Sequence, residues 1–210
     1  MTMWAILPVK PLKLGKTRLA EVLSEDERYV LNTTLLGNTL SALRQADKVD
    51  QVLVISRDPG VLSVSRNFGV RTLQEDTPSN LNRAVTIGVR FAVSAAADRV
   101  MILPADIPLI NTDLVQDLAG RLTKENQMII VPDRRDDGTN SLLLSPPSRM
   151  QFQFGLGSFR RHIALAKMLG LNVDVVRIPE LGLDLDLPED LEVFKTFNLS
   201  RLMNEMKETL

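Results

Sequence analysis

The sequence predicts a single α/β domain built on a mostly parallel sheet with helices on both faces. Three observations carry this reading. Short runs rich in Val, Ile and Leu recur at lengths suited to buried strands, and segments with helical periodicity alternate with them. No repeat, low-complexity tract or Pro/Gly/Ser linker divides the 210 residues. Alternation of this kind specifies a parallel sheet, and the length suits one hydrophobic core better than two.

In chain order, strands are expected at Met3–Val9, Gln51–Ser56, Arg99–Leu103, Met128–Val131, Ser141–Leu144 and Asn172–Arg177. The clearest helix runs from Ser24 to about Ala46, where Ser24 and Glu27 have the spacing of a capping box. Others are expected at about Asn80–Ala96, Asn111–Lys124 and Ser158–Leu169. Residues 132–157 break the rhythm with many loop formers, the Pro146–Pro147 pair and an alternating Phe152/Phe154, as an insertion shaping one side of a pocket would. The domain is expected over residues 1–198. Residues 199–210 form a tail in which Leu202, Met203, Met206 and Leu210 build one apolar helical stripe. That stripe either docks on its own domain or pairs with a second subunit, so a homodimer through the C-terminal helix is one expected partner.

Composition excludes several function classes. A formal charge of −1 with mixed signs provides no basic field for nucleic acid. No apolar run approaches the roughly 20 residues that span a bilayer, and the start lacks a signal-peptide pattern, so a cytoplasmic protein without a membrane partner is expected. The absence of cysteine rules out disulfides, thiolate sites and cysteine nucleophiles, and a single histidine, His162, rules out a multi-histidine zinc site within one chain.

In parallel α/β sheets ligands bind beyond the carboxyl ends of the strands. The first strand ends in a proline-stiffened loop, Pro8 to Arg18, carrying Lys10, Lys13, Lys16 and Arg18 around Gly15. Phosphate binding is the natural reading of such a loop. It is not a P-loop, because Lys10 stands where that motif requires its first glycine. The strand at Arg99–Leu103 delivers Asp106 between Pro104 and Pro108, a good Mg²⁺ ligand or else a turn aspartate. In Leu183-Asp184-Leu185-Asp186-Leu187 the period of an extended chain puts both carboxylates on one side, where they call for a cation. Asp186 with Glu189 also has the spacing of a capping box, which would leave Asp184 unexplained. Two further polar clusters are Asp137-Gly138-Thr139-Asn140 and the glycine turn Phe154–Gly157, followed by Ser158 as an expected N-cap and by Arg160 and Arg161, a setting suited to an anion. His162 reads as a surface or satisfied residue rather than a catalyst.

Taken in order, six blocks resemble the 2-phospho-L-lactate guanylyltransferase (CofC) family of deazaflavin coenzyme F-420 biosynthesis. They are Pro8–Leu19, Leu103–Leu109, Pro132–Arg134, Gly138–Asn140, Phe154–Phe159 and Asp184–Leu191. The resemblance implies a single-domain, Rossmann-like nucleotidyltransferase fold of the glycosyltransferase-A type, with GTP and a small phosphorylated carboxylic acid as substrates and Mg²⁺ as cofactor. It further implies that Lys16 and Arg18 handle the triphosphate beside a catalytic Asp106, and that Asp106, Asp184 and Asp186 hold metal. Lys10, Lys13, Leu81 and Asn82 are expected at the nucleotide, and Thr139, Gly155 and Ser158 at the acceptor. Two places depart from the family pattern. Asn80 replaces the glycine of a Gly-Leu-Asn, and Arg135-Asp136-Asp137 replaces smaller residues. The same transfer to phosphoenolpyruvate is the nearest alternative. A non-catalytic nucleotide-binding subunit is the reading from another class, and retention of Asp106 with the Asp184/Asp186 pair argues against it.

Overall fold

The computed structural model describes residues 1–75, 80–147 and 150–208. Among them, seven strands form one sheet: β1 (Met3–Pro8), β2 (Gln51–Ser56), β3 (Arg71–Gln74), β4 (Arg99–Ile102), β5 (Gln127–Pro132), β6 (Thr139–Ser145) and β7 (Asn172–Val175). Their order across the sheet is β3-β2-β1-β4-β6-β5-β7. All pairings are parallel except those of β6, which runs against both β4 and β5. The helices are α1 (Glu25–Gln45), α2 (Pro59–Asn67), α3 (Leu81–Ser94), α4 (Thr112–Arg121), α5 (Ser158–Met168), α6 (Pro179–Gly182) and α7 (Pro188–Glu208).

Successive side chains of a strand face opposite sides, so each central strand feeds two cores. Ala5, Leu7, Val52, Val54, Met101 and Leu143 pack with Leu36, Leu40 and Leu43 of α1 and Val115 and Leu118 of α4. Trp4, Ile6, Leu53, Ile55, Val100, Ile102, Leu142 and Leu144 pack with Ala84, Val85 and Val89 of α3 and with Phe159 and Ala166 of α5. The central strands are thus apolar on both sides, which is why they read as continuous runs rather than alternating ones. The mixed, mostly parallel α/β sheet expected from the sequence is the one observed.

Three of the predicted helix starts are capped by side chains, one of them as expected. The Ser24/Glu27 capping box is formed, with Ser24 N–H donating to Glu27 Oε2 at 2.8 Å and Glu27 N–H donating to Ser24 Oγ at 3.3 Å. Asn80 caps α3 by accepting the Arg83 N–H at 3.0 Å, and Asn111 caps α4 through the Leu114 N–H at 2.9 Å. The residue that departs from the family glycine therefore has a structural task of its own.

Two expected caps are different. α5 is preceded by Gly157 in a left-handed conformation, φ 68°, and Ser158 is its first helical residue with no capping role. Asp186 does not cap α7 through Glu189. Instead Asp190, in the first turn, reaches back to accept the N–H groups of Leu187 at 2.7 Å and Asp186 at 3.0 Å. α7 begins at Pro188 and runs to Glu208, so the boundary expected after residue 198 falls inside one helix. The apolar stripe from Leu202 to Leu210 lies outside the described side chains. No described helix is long and apolar enough to cross a membrane.

Candidate active site

The loop after β1 is held down by its apolar residues. Leu12 and Leu19 are buried. The Leu12 N–H donates to Asp58 Oδ2 at 3.1 Å, and Asn32 Nδ2 donates to the Leu12 carbonyl at 2.7 Å. The same Asn32 passes so near the backbone that a Cβ at Gly15 would lie 2.7 Å from its Nδ2, which explains the glycine. Lys16 follows in the left-handed region, φ 58° and ψ 34°, a conformation that costs a non-glycine residue about 1–2 kcal/mol. This conformation accompanies a lysine turned inward: its side chain is 4% exposed, and Nζ lies 2.8 Å from Asp106 Oδ2.

Asp106 sits just past β4, whose course continues into the Leu103 N–H donating to the Ile6 carbonyl. The acidic segment is brought alongside by its leucines. Leu181, Leu183 and Leu185 are buried while Asp184 and Asp186 alternate with them, as the extended period requires. Asn140 Nδ2 donates to the Leu181 carbonyl at 3.0 Å, the Arg134 N–H to the Gly182 carbonyl at 2.9 Å, and the Leu185 N–H to the Asp106 carbonyl at 3.3 Å. Asp190, 2% exposed, completes the fastening by accepting Arg134 Nη2 at 2.7 Å.

The three aspartates meet at this sheet edge, though not as one closed set. Asp184 interacts with Asp106: burial first, and then the like charge of Asp106, push its carboxyl up to about 6, with Lys16 opposing. Asp186 instead pairs with Arg18 Nη1 at 3.1 Å. Among the described residues no group of three His, Cys, Asp or Glu side chains is placed to hold a metal as it stands. The Asp106–Asp184 pair nevertheless has the chemistry of a Mg²⁺ site, since that ion takes one or two carboxylates and completes its shell with phosphate and water.

A cavity of about 550 Å³ opens over the ends of β1 and β4, lined among others by Lys10, Gly15, Lys16, Asn80, Leu81, Asp106 and Asp186. That volume suits a small-molecule ligand. Of the expected nucleotide residues, Lys10 and Leu81 face it, while Lys13 is exposed and does not line it. Asn82 has another partner: its Oδ1 accepts the Phe154 N–H at 2.6 Å and its Nδ2 donates to the Phe154 carbonyl at 3.2 Å. It staples the start of α3 to the loop before α5.

The expected acceptor residues group on the far side of β4. β6 is antiparallel to β4 with Leu142 opposite Ile102, so Thr139 begins β6 at the edge where β4 runs out toward Asp106. Ser158 Oγ donates to Thr139 Oγ1 at 3.1 Å, and His162 Nδ1 lies 3.0 Å from the same oxygen. Gly155, φ 120°, has open space where a Cβ would stand. The anion setting expected at the start of α5 is largely used internally: the Gly157 N–H donates to Asp137 Oδ2, the Ser158 N–H to the Gly155 carbonyl and the Phe159 N–H to the Asp137 carbonyl. His162 is satisfied and fully buried, not a surface residue.

The sequence profile described as guanylyl transferase CofC like matches residues 3–197. The chain belongs to this family. The CofC-like chain is 39% identical over 202 residues to a phosphoenolpyruvate guanylyltransferase of Conexibacter woesei, covering 96% of the chain and 91% of that protein. It is 38% identical to a 2-phospho-L-lactate guanylyltransferase of Methanothermobacter thermautotrophicus, covering 89% and 81%. The fold is that of a nucleotidyl transferase from the same genus, with TM-score 0.68, 18% identity and coverage of 95% and 99%. It is shared with 4-diphosphocytidyl-2C-methyl-D-erythritol synthase from Anaerococcus prevotii, with TM-score 0.63, 11% identity and coverage of 95% and 96%.

Three positions escaped the sequence reading. Asp190 fastens the acidic segment, Asn32 holds the loop after β1, and Asp133 accepts the N–H groups of Arg135, Asp137 and Gly138 to shape the loop between β5 and β6. Only Asp190 left a signal, an acid in the first turn behind Pro188.

Proposed function

We propose that this CofC-like enzyme transfers GMP from GTP to a three-carbon phosphorylated carboxylic acid, in coenzyme F-420 biosynthesis. The observation that carries the reading is the buried Lys16 ammonium 2.8 Å from Asp106, with Asp184 beside it, at the mouth of a nucleotide-sized cavity. An oxygen of the acceptor's phosphate attacks the α-phosphorus in line; the new O–P bond forms as the bond to the bridging oxygen breaks, and pyrophosphate leaves. An anionic phosphate needs no general base, so positioning and charge neutralisation supply the rate.

Lys16 and Arg18 exchange their aspartate partners for phosphate oxygens, and Lys16 meets the charge growing on pyrophosphate. Asp106, Asp184 and Asp186 would hold Mg²⁺, Asp186 being the one that pairs with Arg18 in this structure. Bound there, the ion supplies neutralisation of the repulsion between nucleotide and acceptor. Leu81 and Lys10 flank the nucleotide. Asn82 acts on the acceptor side through Phe154, while Thr139, Gly155 and Ser158 receive the acceptor.

The acceptor is 2-phospho-L-lactate or, in a second reading, phosphoenolpyruvate, which lacks two of its hydrogens. Relatives named for each match this chain at nearly equal identity, which supports the shared chemistry and both readings alike. Pyrophosphate release measured with GTP, ATP, CTP and UTP against both acceptors tests the proposal. Release with GTP and one of the two acceptors is expected, and none with any combination would overturn it. A homodimer through the end of α7 is the proposed assembly; sedimentation as a monomer at micromolar concentration would refute it.

A further inference from the structure

We propose that His162 is a positioning residue for the acceptor, acting through Thr139 to leave one hydroxyl proton of the Thr139/Ser158 pair free for an anionic oxygen. The inference rests on the acceptor reading above. A backbone N–H can only donate, and that of Gln153 lies 3.0 Å from His162 Nε2, so Nε2 is the unprotonated nitrogen. The ring proton is therefore on Nδ1, 3.0 Å from Thr139 Oγ1, and the threonine oxygen must accept it.

Proton counting then gives the consequence. Thr139 and Ser158 own one hydroxyl proton each, and the 3.1 Å contact between them consumes one. The other is left without an acceptor among these three side chains. With the opposite tautomer Thr139 would donate to the ring, Ser158 to Thr139, and neither proton would remain for a ligand. His162 is fully buried, with the Phe154 ring edge-on at 4.8 Å. Burial, with a smaller contribution from Arg161, holds its pKa down to about 4, so the ring stays neutral under working conditions.

The chain has a single histidine, so its ring nitrogens can be read without assignment ambiguity. In ¹⁵N spectra of the whole protein at pH 7, a protonated Nδ1 and a bare Nε2 are expected; the reverse tautomer overturns the proposal whatever the activity. Kinetics supply the second arm. Asparagine places an amide nitrogen near the Nδ1 position, whereas glutamine reaches only the Nε2 side. H162Q should raise the acceptor KM about 10- to 100-fold, the loss of a hydrogen bond to a charged group, with the GTP KM unchanged. H162N should stay within about threefold of the parent. On a Thr139→Val background H162Q should change the acceptor KM no further. Equal effects of H162N and H162Q, or an equal rise in the GTP KM, would overturn the assignment. If H162Q does not fold, the Thr139→Val enzyme provides the test: its acceptor KM should rise by the same factor, and an unchanged KM sinks the idea. Failure of the parent enzyme to release pyrophosphate with any acceptor would instead remove the acceptor reading, while the spectra still decide the tautomer.

Discussion

At Asp184 the proposed metal role and stability pull in opposite directions. Its carboxyl is raised from 3.8 to about 6 by burial and by Asp106, so its contribution to stability is full below about pH 3.8 and is lost as pH rises through 6. Without divalent ion, Asp184→Asn should therefore melt at a higher temperature than the parent at pH 7, with the difference gone below pH 3.8. The same variant, like Asp106→Asn, should lose about 10³-fold or more in pyrophosphate release, the scale of a charge clamp on transferring phosphoryl groups. Near-parental turnover at low Mg²⁺ would refute the metal role. His162 works the other way. Its pKa falls from 6.5 to about 4, so its contribution is complete above 6.5 and disappears as pH falls toward 4, on the order of 3 kcal/mol. Melting temperature should drop across that window, and H162N should flatten the drop. The alternation of Asp184 and Asp186 with the buried Leu183 and Leu185 was legible because an extended chain repeats every two residues. The burial of Lys16 was not, since no local pattern announces a lysine in a left-handed bend whose partner lies 90 residues away.

Helices and strands reach the site through contacts that have little slack. α3 lies so close to the sheet at Gly88 that an added Cβ would run into Ile55 and stand 2.7 Å from Ile6 Cγ2. Gly88→Ala should cost about 1–3 kcal/mol by urea unfolding, as overpacked cores do, and should raise the GTP KM because Leu81 opens the same helix. The acidic segment depends in a similar way on α7. Asp190→Ala removes the partner of Arg134 and the acceptor of two backbone N–H groups, a loss of about 3 kcal/mol. It should also raise the Mg²⁺ concentration needed for half-maximal rate, although Asp190 is not proposed as a ligand. Six strands and four helices were readable from apolar runs and helical periods. α2 and β3 were not: α2 spans nine residues and opens with Pro59-Gly60, and β3 spans four residues, none of them buried. Elements that short carry too few periods to stand out from a loop.

For the whole molecule, ligand binding should appear as stabilisation. GTP with Mg²⁺ at about 100 times its Kd contributes about 2.7 kcal/mol, which for a chain of this size raises Tm by about 5–10 °C. ATP at the same concentration should do markedly less; equal shifts would overturn the proposed guanine preference. The sheet class was visible in the alternation of elements, but strand order was not, because register and direction are set by contacts far apart in sequence. The reversal of β6 is the clearest case. β5 carries the chain up to the rim, and β6, running against β4, starts there with Thr139 on one flank of Asp106 while Lys16 occupies the other. On the proposed roles, Lys16 and Leu81 on the donor side and Thr139, Gly155 and Ser158 on the acceptor side come from successive stretches of the gene, with a seam between β4 and β6. On the proposed function, substrate choice is open to transplantation: exchanging residues 133–162 as a block should retarget the enzyme toward a different small acid while its handling of the triphosphate is inherited.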